Sequence, residues 1–258
     1  REDKNEIRDD FMTTPKVATK EKFMGLFDFF KKKSSDKEKP TEDEDKIVVG
    51  SEETDDSAPG WDAIDAEFNR LYPDQPNPRH YGTVIKYMLG GPDPLDGISV
   101  YDAGEFWHFV SYGLSELYTK ESEDPEYSGY GIELTFKLKK STNDEEEIKN
   151  GCGLLQYVAR YIFQTGTVVL PEEYIYTKQT VGIDAKQKSN LTGFLTAADD
   201  LANTIDTLHG KVEFVTLIGA TDTELRSVYE SETSKLEVRK LLQKLGNQLT
   251  DYHRQSLV

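Results

Sequence analysis

The chain is short of sulfur, of positive charge and of long apolar runs, and each shortage removes a class of protein. Its 258 residues include one cysteine, Cys152, so no intrachain disulfide can form, which suits a reducing compartment. Lys and Arg number 31 against 48 Asp and Glu, a formal net charge of −17. A nucleic-acid surface needs clustered cations to replace condensed counterions, so direct DNA or RNA binding is not expected. No apolar run approaches the ~18 residues needed to cross a bilayer. No apolar stretch of ~7–15 residues follows the N-terminal region as a secretory signal would. The expected location is the cytoplasm.

Signatures of chemistry are also missing. His80, His108, His209 and His253 are scattered and form no H-x-x-x-H or H-E-x-x-H pair, and a lone cysteine cannot begin a zinc knuckle. Gly90-Gly91 and Gly129-Tyr-Gly131 complete neither a Walker loop nor G-x-G-x-x-G, and no G-x-S-x-G elbow occurs. Asp93, Asp96 and Asp102 cluster without EF-hand spacing. Cys152 falls on the apolar stripe of a helix and reads as a small core residue. No catalytic residue, cofactor or metal ligand is assigned, and the chain is not expected to be an enzyme. An enzyme on an unrecognised site stays open as a rival and would need a deep pocket with convergent titratable groups.

What is present divides the chain in two. Residues 1–23 are polar and without period. Met24-Gly-Leu-Phe-Asp-Phe-Phe-Lys-Lys-Lys33 reads like a start site. It could form one amphipathic turn, too short for stable membrane association. Residues 34–58 hold ten acids and three lysines and too few apolar residues to offset their ordering entropy. Residues 1–58 are therefore predicted to be a disordered extension and acidic linker, and 59–258 one folded domain. The folded part carries 19 Lys+Arg against 31 Asp+Glu, a net of −12, which either keeps it soluble or suits a basic partner.

From Pro59 onward the periodicity turns globular. The pattern predicts a helix over 61–71, capped by Gly60, with Ile64, Phe68 and Leu71 on one face. Strands are predicted near 81–89, 98–101 and 106–112, the last apolar on both faces and hence central. Gly131–Lys140 alternates strictly, which predicts one covered face and a wet face carrying Glu133, Thr135, Lys137 and Lys139. A helix over 144–164 carries an apolar stripe from Ile148 to Ile162, with Gly151 and Gly153 expected to loosen its first turns and Gly166 to stop it. Further strands are predicted near 173–176, 192–196 and 211–218, then helices over 222–229 and 234–245. Strands mixed with amphipathic helices give an α+β domain, a mixed sheet covered by helices.

Fourteen tyrosines occur, several at loop edges: Tyr101, Tyr112, Tyr118, Tyr127 and Tyr130. Tyrosine buries a large ring at little entropy cost, which suits interfaces as well as core margins. Tyr118 and Tyr127 flank a polar, acidic loop and are expected to be exposed.

Six motifs in order carry a resemblance to a known family. They are Tyr72-Pro-Asp-Gln-Pro-Asn-Pro78, Leu89–Asp96, Trp107–Tyr118, Ser128–Lys139, Leu154–Gln164 and Val212–Leu225. Together they span about Gly60 to the C-terminal helix, and they resemble the Suppressor of fused family, whose members bind proteins. Animal members are longer and take a transcription-factor peptide as an added strand between two domains. The single-domain extent is similar to the bacterial branch, which is associated with polymorphic toxin systems as immunity proteins. The resemblance implies a cytoplasmic immunity protein that binds and neutralises a basic toxin domain such as a nuclease. The alternative is a general regulatory module of the same fold. It also implies a peptide site at Tyr118 and Asp124, with Glu126 as the other choice of acid. The expected contacts are Tyr118 and Tyr127 as anchors, ringed by Asp93, Asp96, Asp124 and Glu126.

Overall fold

The computed structural model describes residues 57–258 apart from Lys86, Met88 and Leu89. The expectations for residues 1–56, including the acidic linker, the Met24 start and the amphipathic turn at 24–33, lie outside the described residues.

The described chain is α+β. It runs α1 (Pro59–Leu71), β1 (Arg79–Gly82), β2 (Gly97–Asp102), β3 (Phe106–Tyr112), β4 (Tyr127–Lys139), α2 (Asp144–Thr165), β5 (Tyr174–Ile175), β6 (Leu191–Ala198), β7 (Ile205–Thr207), β8 (Gly210–Thr221), α3 (Asp222–Glu230) and α4 (Ser234–Leu245). The eight strands form one sheet in the order β1-β2-β3-β4-β8-β6-β5, with β7 paired to β8. β4 and β8 lie parallel and every other pair is antiparallel, so the sheet is mixed.

β3 and β8 are internal, as their two-faced apolar character requires. On one side of the sheet, Ile64 and Phe68 of α1 pack with Tyr101, Val110, Tyr112 and Phe214. α2 covers the other side, against β3 and β4. A Cβ on Gly151 would lie 2.9 Å from the Phe109 ring, so this glycine lets the helix approach the sheet. α2 stops at Gly166, which takes the left-handed conformation with φ 69°. α3 and α4 cover the far end of the sheet through Leu225, Val228, Val238 and Leu241.

Three expectations need correction. The first strand spans only Arg79–Gly82, and Val84 and Ile85 beyond it are exposed. Gly60 does not cap its helix: the N-cap position is Ala58, without a side-chain cap. Gly60 instead donates its N–H to the Leu117 carbonyl at 3.0 Å, and a Cβ there would sit 2.1 Å from the Glu116 carbonyl oxygen. It is a docking glycine between α1 and a loop. Finally, the second face of β4 is wet only at Lys139. Glu133, Thr135 and Lys137 are all at most 2% exposed. Alternation marked the polar residues correctly, but Ser111 and the 113–115 turn, the segment after β6 and Gln248 supply their partners from elsewhere in the chain.

Those partners form a buried polar layer. Asp199 accepts from Lys137 Nζ at 2.9 Å, Thr135 Oγ1 at 2.5 Å and His108 Nε2 at 3.2 Å, and from the backbone amides of Leu201 and Ala202. Burial pushes the Asp199 carboxyl up, but His108, Lys137 and Thr135 outweigh it and hold it below the usual range. Burial keeps His108 on the neutral side of its ordinary value, and its Nδ1 shares a hydrogen bond with the Tyr72 hydroxyl at 2.8 Å. A buried charge pair of this kind is tolerable because its lone pairs and protons are all met.

Candidate functional site

The loop from Gly113 to Glu126 joins β3 to β4 and meets the β7–β8 turn at the end of the sheet where β8 begins. It is built by turn chemistry and by internal carboxylates rather than by hydrophobic packing alone. Asp124 Oδ1 accepts from the amides of Glu126 at 2.8 Å and Tyr127 at 3.2 Å, an Asx-type turn that launches β4. Glu116 accepts from the amides of Glu121, Ser122 and Gly129 and pairs with Lys120 at 3.1 Å. Burial raises its carboxyl, but these backbone bonds and Lys120 bring it down to about 2. Lys120 Nζ also donates to the Tyr127 carbonyl.

Tyr118 is 37% exposed, and its hydroxyl donates to Asp96 Oδ2 at 2.9 Å. Its carbonyl lies 3.1 Å from His209 Nε2 in the β7–β8 turn. Leu208, at the tip of that turn, is 81% exposed. Tyr127 is half-buried, with Lys211 Nζ 5.5 Å from its ring centroid. Lys211 also lies 3.5 Å from Glu126 and donates its N–H to the Glu126 carbonyl at 2.8 Å.

The structure thus joins Tyr118 to Asp96, and Asp124 to Glu126 and Tyr127. Asp93 does not join them: its carboxylate holds Arg160 of α2 at 2.5 Å. Tyr101 and Tyr112 are core residues, each at most 1% exposed. Sequence reasoning missed His209, Leu208 and Lys211, because β7 is three residues long and carries no alternation. It also missed Glu116, whose role depends on amides up to 13 residues away.

Elsewhere, a cleft of about 510 Å³ opens beside α3. Within it, Asp222 is already bound by the Tyr176 hydroxyl at 2.7 Å and by Arg226 at 2.6 Å. Among the described residues, no group of three or more His, Cys, Asp or Glu is placed to hold a metal ion. Cys152 is half-buried, and burial pushes its thiol up to about 12, away from nucleophilic character. Among the described residues no helix is long and apolar enough to cross a membrane.

The family model for Suppressor of fused protein (SUFU) matches residues 91–255. The chain is 34% identical over 186 residues to the Suppressor of fused homologs of Homo sapiens and Mus musculus, a match over 66% of this chain and 37% of either relative. It therefore spans little more than a third of the length of the curated relatives it matches. Among solved structures, a chain of a Sufu–Fu complex superimposes with a TM-score of 0.66 at 32% identity, over 77% of this chain and 92% of that one. Drosophila Suppressor of Fused does so with a TM-score of 0.67 at 30% identity, over 78% of this chain and 51% of that one. A SUFU homolog from Neisseria gonorrhoeae shares the fold, with a TM-score of 0.52 at 14% identity over 78% of this chain and 97% of that one. The chain belongs to the Suppressor of fused family.

Proposed function

We propose that this domain is a non-catalytic protein-binding module that docks a basic polypeptide on the face around Tyr118. The observation that carries the reading is the exposed Tyr118 ring, its hydroxyl bonded to Asp96 and its carbonyl to His209. A rigid aromatic anchor loses little entropy on binding. Asp96 at its hydroxyl and Asp124 and Glu126 on the same loop as Tyr118, in a folded part of net charge −12, supply a potential that attracts cations and repels acidic competitors. The Sufu–Fu complex supports the reading, since a relative with this fold binds a protein.

The specific role we infer is immunity: a cytoplasmic protein that caps a basic toxin domain, such as a nuclease, and blocks its phosphate-binding surface. A second reading is a regulatory module. It is favoured by the 30–34% identities to animal relatives, against 14% to the Neisseria protein.

The test begins with capture from the native host by the full chain, by residues 59–258 and by a Tyr118→Ala chain. The captured protein is then purified and its association followed at rising salt. The expected result is a partner retained by residues 59–258, lost or weakened by about tenfold or more with Tyr118→Ala, and associating more slowly as salt rises. A salt-independent on-rate overturns the electrostatic part. A toxin activity silenced by one equivalent of the domain supports immunity, and a signalling or transcription factor as partner supports the second reading. Turnover of a small substrate, abolished by one point change, overturns both.

A further inference from the structure

Glu133 is the least expected residue of β4. It points into the protein with no exposed surface, on the face that alternation assigns to solvent. Its Oε1 accepts from three successive backbone amides, Gly113 at 2.9 Å, Leu114 at 3.1 Å and Ser115 at 2.9 Å, and from the Ser115 hydroxyl at 2.7 Å. The Ser111 hydroxyl donates to Oε2. Successive N–H groups converging on one point make an anion-binding concavity. Here the anion comes from the protein's own neighbouring strand. The turn that creates the concavity needs Gly113: its φ is +133°, and a Cβ there would meet the 94–96 backbone at 3.0–3.1 Å.

From this point to Tyr118 the chain has little freedom. Leu114 and Leu117 are buried, at 1% and 4% exposure. The Leu114 carbonyl accepts from Tyr130 N–H at 2.9 Å, and the Leu117 carbonyl from Gly60 N–H at 3.0 Å. Asp96 closes the loop at both ends: its backbone N–H donates to the Tyr112 carbonyl at 2.8 Å, and its carboxylate accepts from the Tyr118 hydroxyl at 2.9 Å.

We propose that Glu133 is the positioning residue of the docking face: its buried carboxylate gathers the Gly113–Ser115 amides and so sets the backbone from which Tyr118 is presented. This deepens the docking reading and rests on it for its purpose. Glu133 touches no partner; it acts through the loop. Without the carboxylate, three adjacent amides, two of them fully buried, lose their acceptor. The cheapest remedy is for the loop to turn them toward water. Such a turn carries Tyr118 away from Asp96 and His209. Burial lifts the Glu133 carboxyl to about 7, against the pull of the Ser111, Ser115 and Gly113 donors, so its charged form is present above neutrality.

The experiment needs no partner, so its failure and that of the docking reading are separable. The full chain, with ¹³C-labelled tyrosine, is compared at pH 8 as wild type, Glu133→Gln and Glu224→Gln. Glu224 is also fully buried, beyond the other end of β8, and serves as the control for general destabilisation. Glutamine keeps the shape but offers a neutral acceptor in place of a charged one. Exchange of the 113–115 amides is expected to quicken by about tenfold in Glu133→Gln, and the Tyr118 ring signal to shift or broaden. Glu224→Gln should do neither, whatever it does to global unfolding. Unchanged exchange and an unchanged ring signal in Glu133→Gln overturn the proposal. So does an equal response in Glu224→Gln. If Glu133→Gln does not fold, Ser115→Ala decides. It removes one donor to the same oxygen and should move the Tyr118 signal in the same direction by less; an unmoved signal overturns the proposal.

Discussion

Glu133 and Glu224 are both fully buried carboxylates, one within the parallel β4–β8 pair and one just past the end of β8, and they are satisfied in opposite ways. Glu133 sits opposite Phe214, near the start of β8, and among the described residues it is held by hydroxyls and backbone amides. Glu224 follows the end of β8 and is held by Arg254, whose two terminal nitrogens each lie 2.6 Å from one of its oxygens. Burial pushes both carboxyls up. At Glu224 the Arg254 guanidinium and the Thr221 and Leu257 amides outweigh it and hold the group below its ordinary value. At Glu133 the dipoles do not, and the group stays raised, at about 7. A full charge partner fastens the α3 end, where Glu224 also closes a capping box with Thr221. Dipoles fasten the Tyr118 end, where what they hold is a loop.

Removing each carboxylate outright should separate the two carboxylates most. Glu224→Ala strands Arg254, only 11% exposed, as an uncompensated buried charge and opens the helix cap. Such losses cost about 3–5 kcal/mol. Glu133→Ala strands no charge; it leaves amides that the loop can turn outward, and the expected loss is about 1–3 kcal/mol. Urea unfolding of the two variants measures the difference. Equal losses, or a larger one for Glu133→Ala, mean that the two ends are fastened alike.

The sequence made the scaffold legible and hid the fastening. β3 over Phe106–Tyr112 and α4 over Ser234–Leu245 fall where periodicity places them, because their burial pattern is a local property of a strand or helix. The register of β4 was equally legible, yet its polar face was put in water. No local pattern distinguishes Glu133 and Lys137, satisfied by partners 18 to 111 residues away, from solvated residues. Tyr118 and Asp96 stood out as polar residues at turns. Their mutual bond, and the His209 contact behind it, depends on three loops meeting at one end of the sheet. The separation of Asp93 follows from Arg160 on α2, which a strand-by-strand reading cannot place.

The two carboxylates also respond to pH with opposite sign. Glu133 changes from an ordinary value of 4.5 to about 7 on folding, so the native state binds its proton more tightly. The associated stability is fully present below about 4.5 and is lost as pH rises through 7, amounting to at most about 3 kcal/mol. Glu224 has the opposite sign: its contribution is present above 4.5 and is lost as pH falls through its lowered native value. Glu147 and Glu173 are also lifted by burial, so the raw pH curve mixes several groups. The difference between wild type and Glu133→Gln isolates one. Urea midpoints should fall between pH 5 and pH 8 more steeply in wild type than in Glu133→Gln. Parallel curves would show that Glu133 is ionised in the fold at an ordinary pH, with its amide donors fully offsetting burial.

The smallest expected effect on stability separates holding a residue from using it. Tyr118→Phe removes one hydroxyl from a partly exposed hydrogen bond to Asp96 and leaves the ring in place. Water can replace the lost donor, so unfolding should change by less than about 0.5 kcal/mol. If the backbone under Tyr118 is set by Glu133, the ring stays presented without its hydroxyl tether, and dissociation of the captured partner should quicken by only about two- to threefold. If the Asp96 tether itself sets the ring, Tyr118→Phe should release it, and dissociation should approach that of Tyr118→Ala. The ratio of the two dissociation rates therefore reports whether the docking face is organised from beneath, through the buried carboxylate, or from its exposed edge.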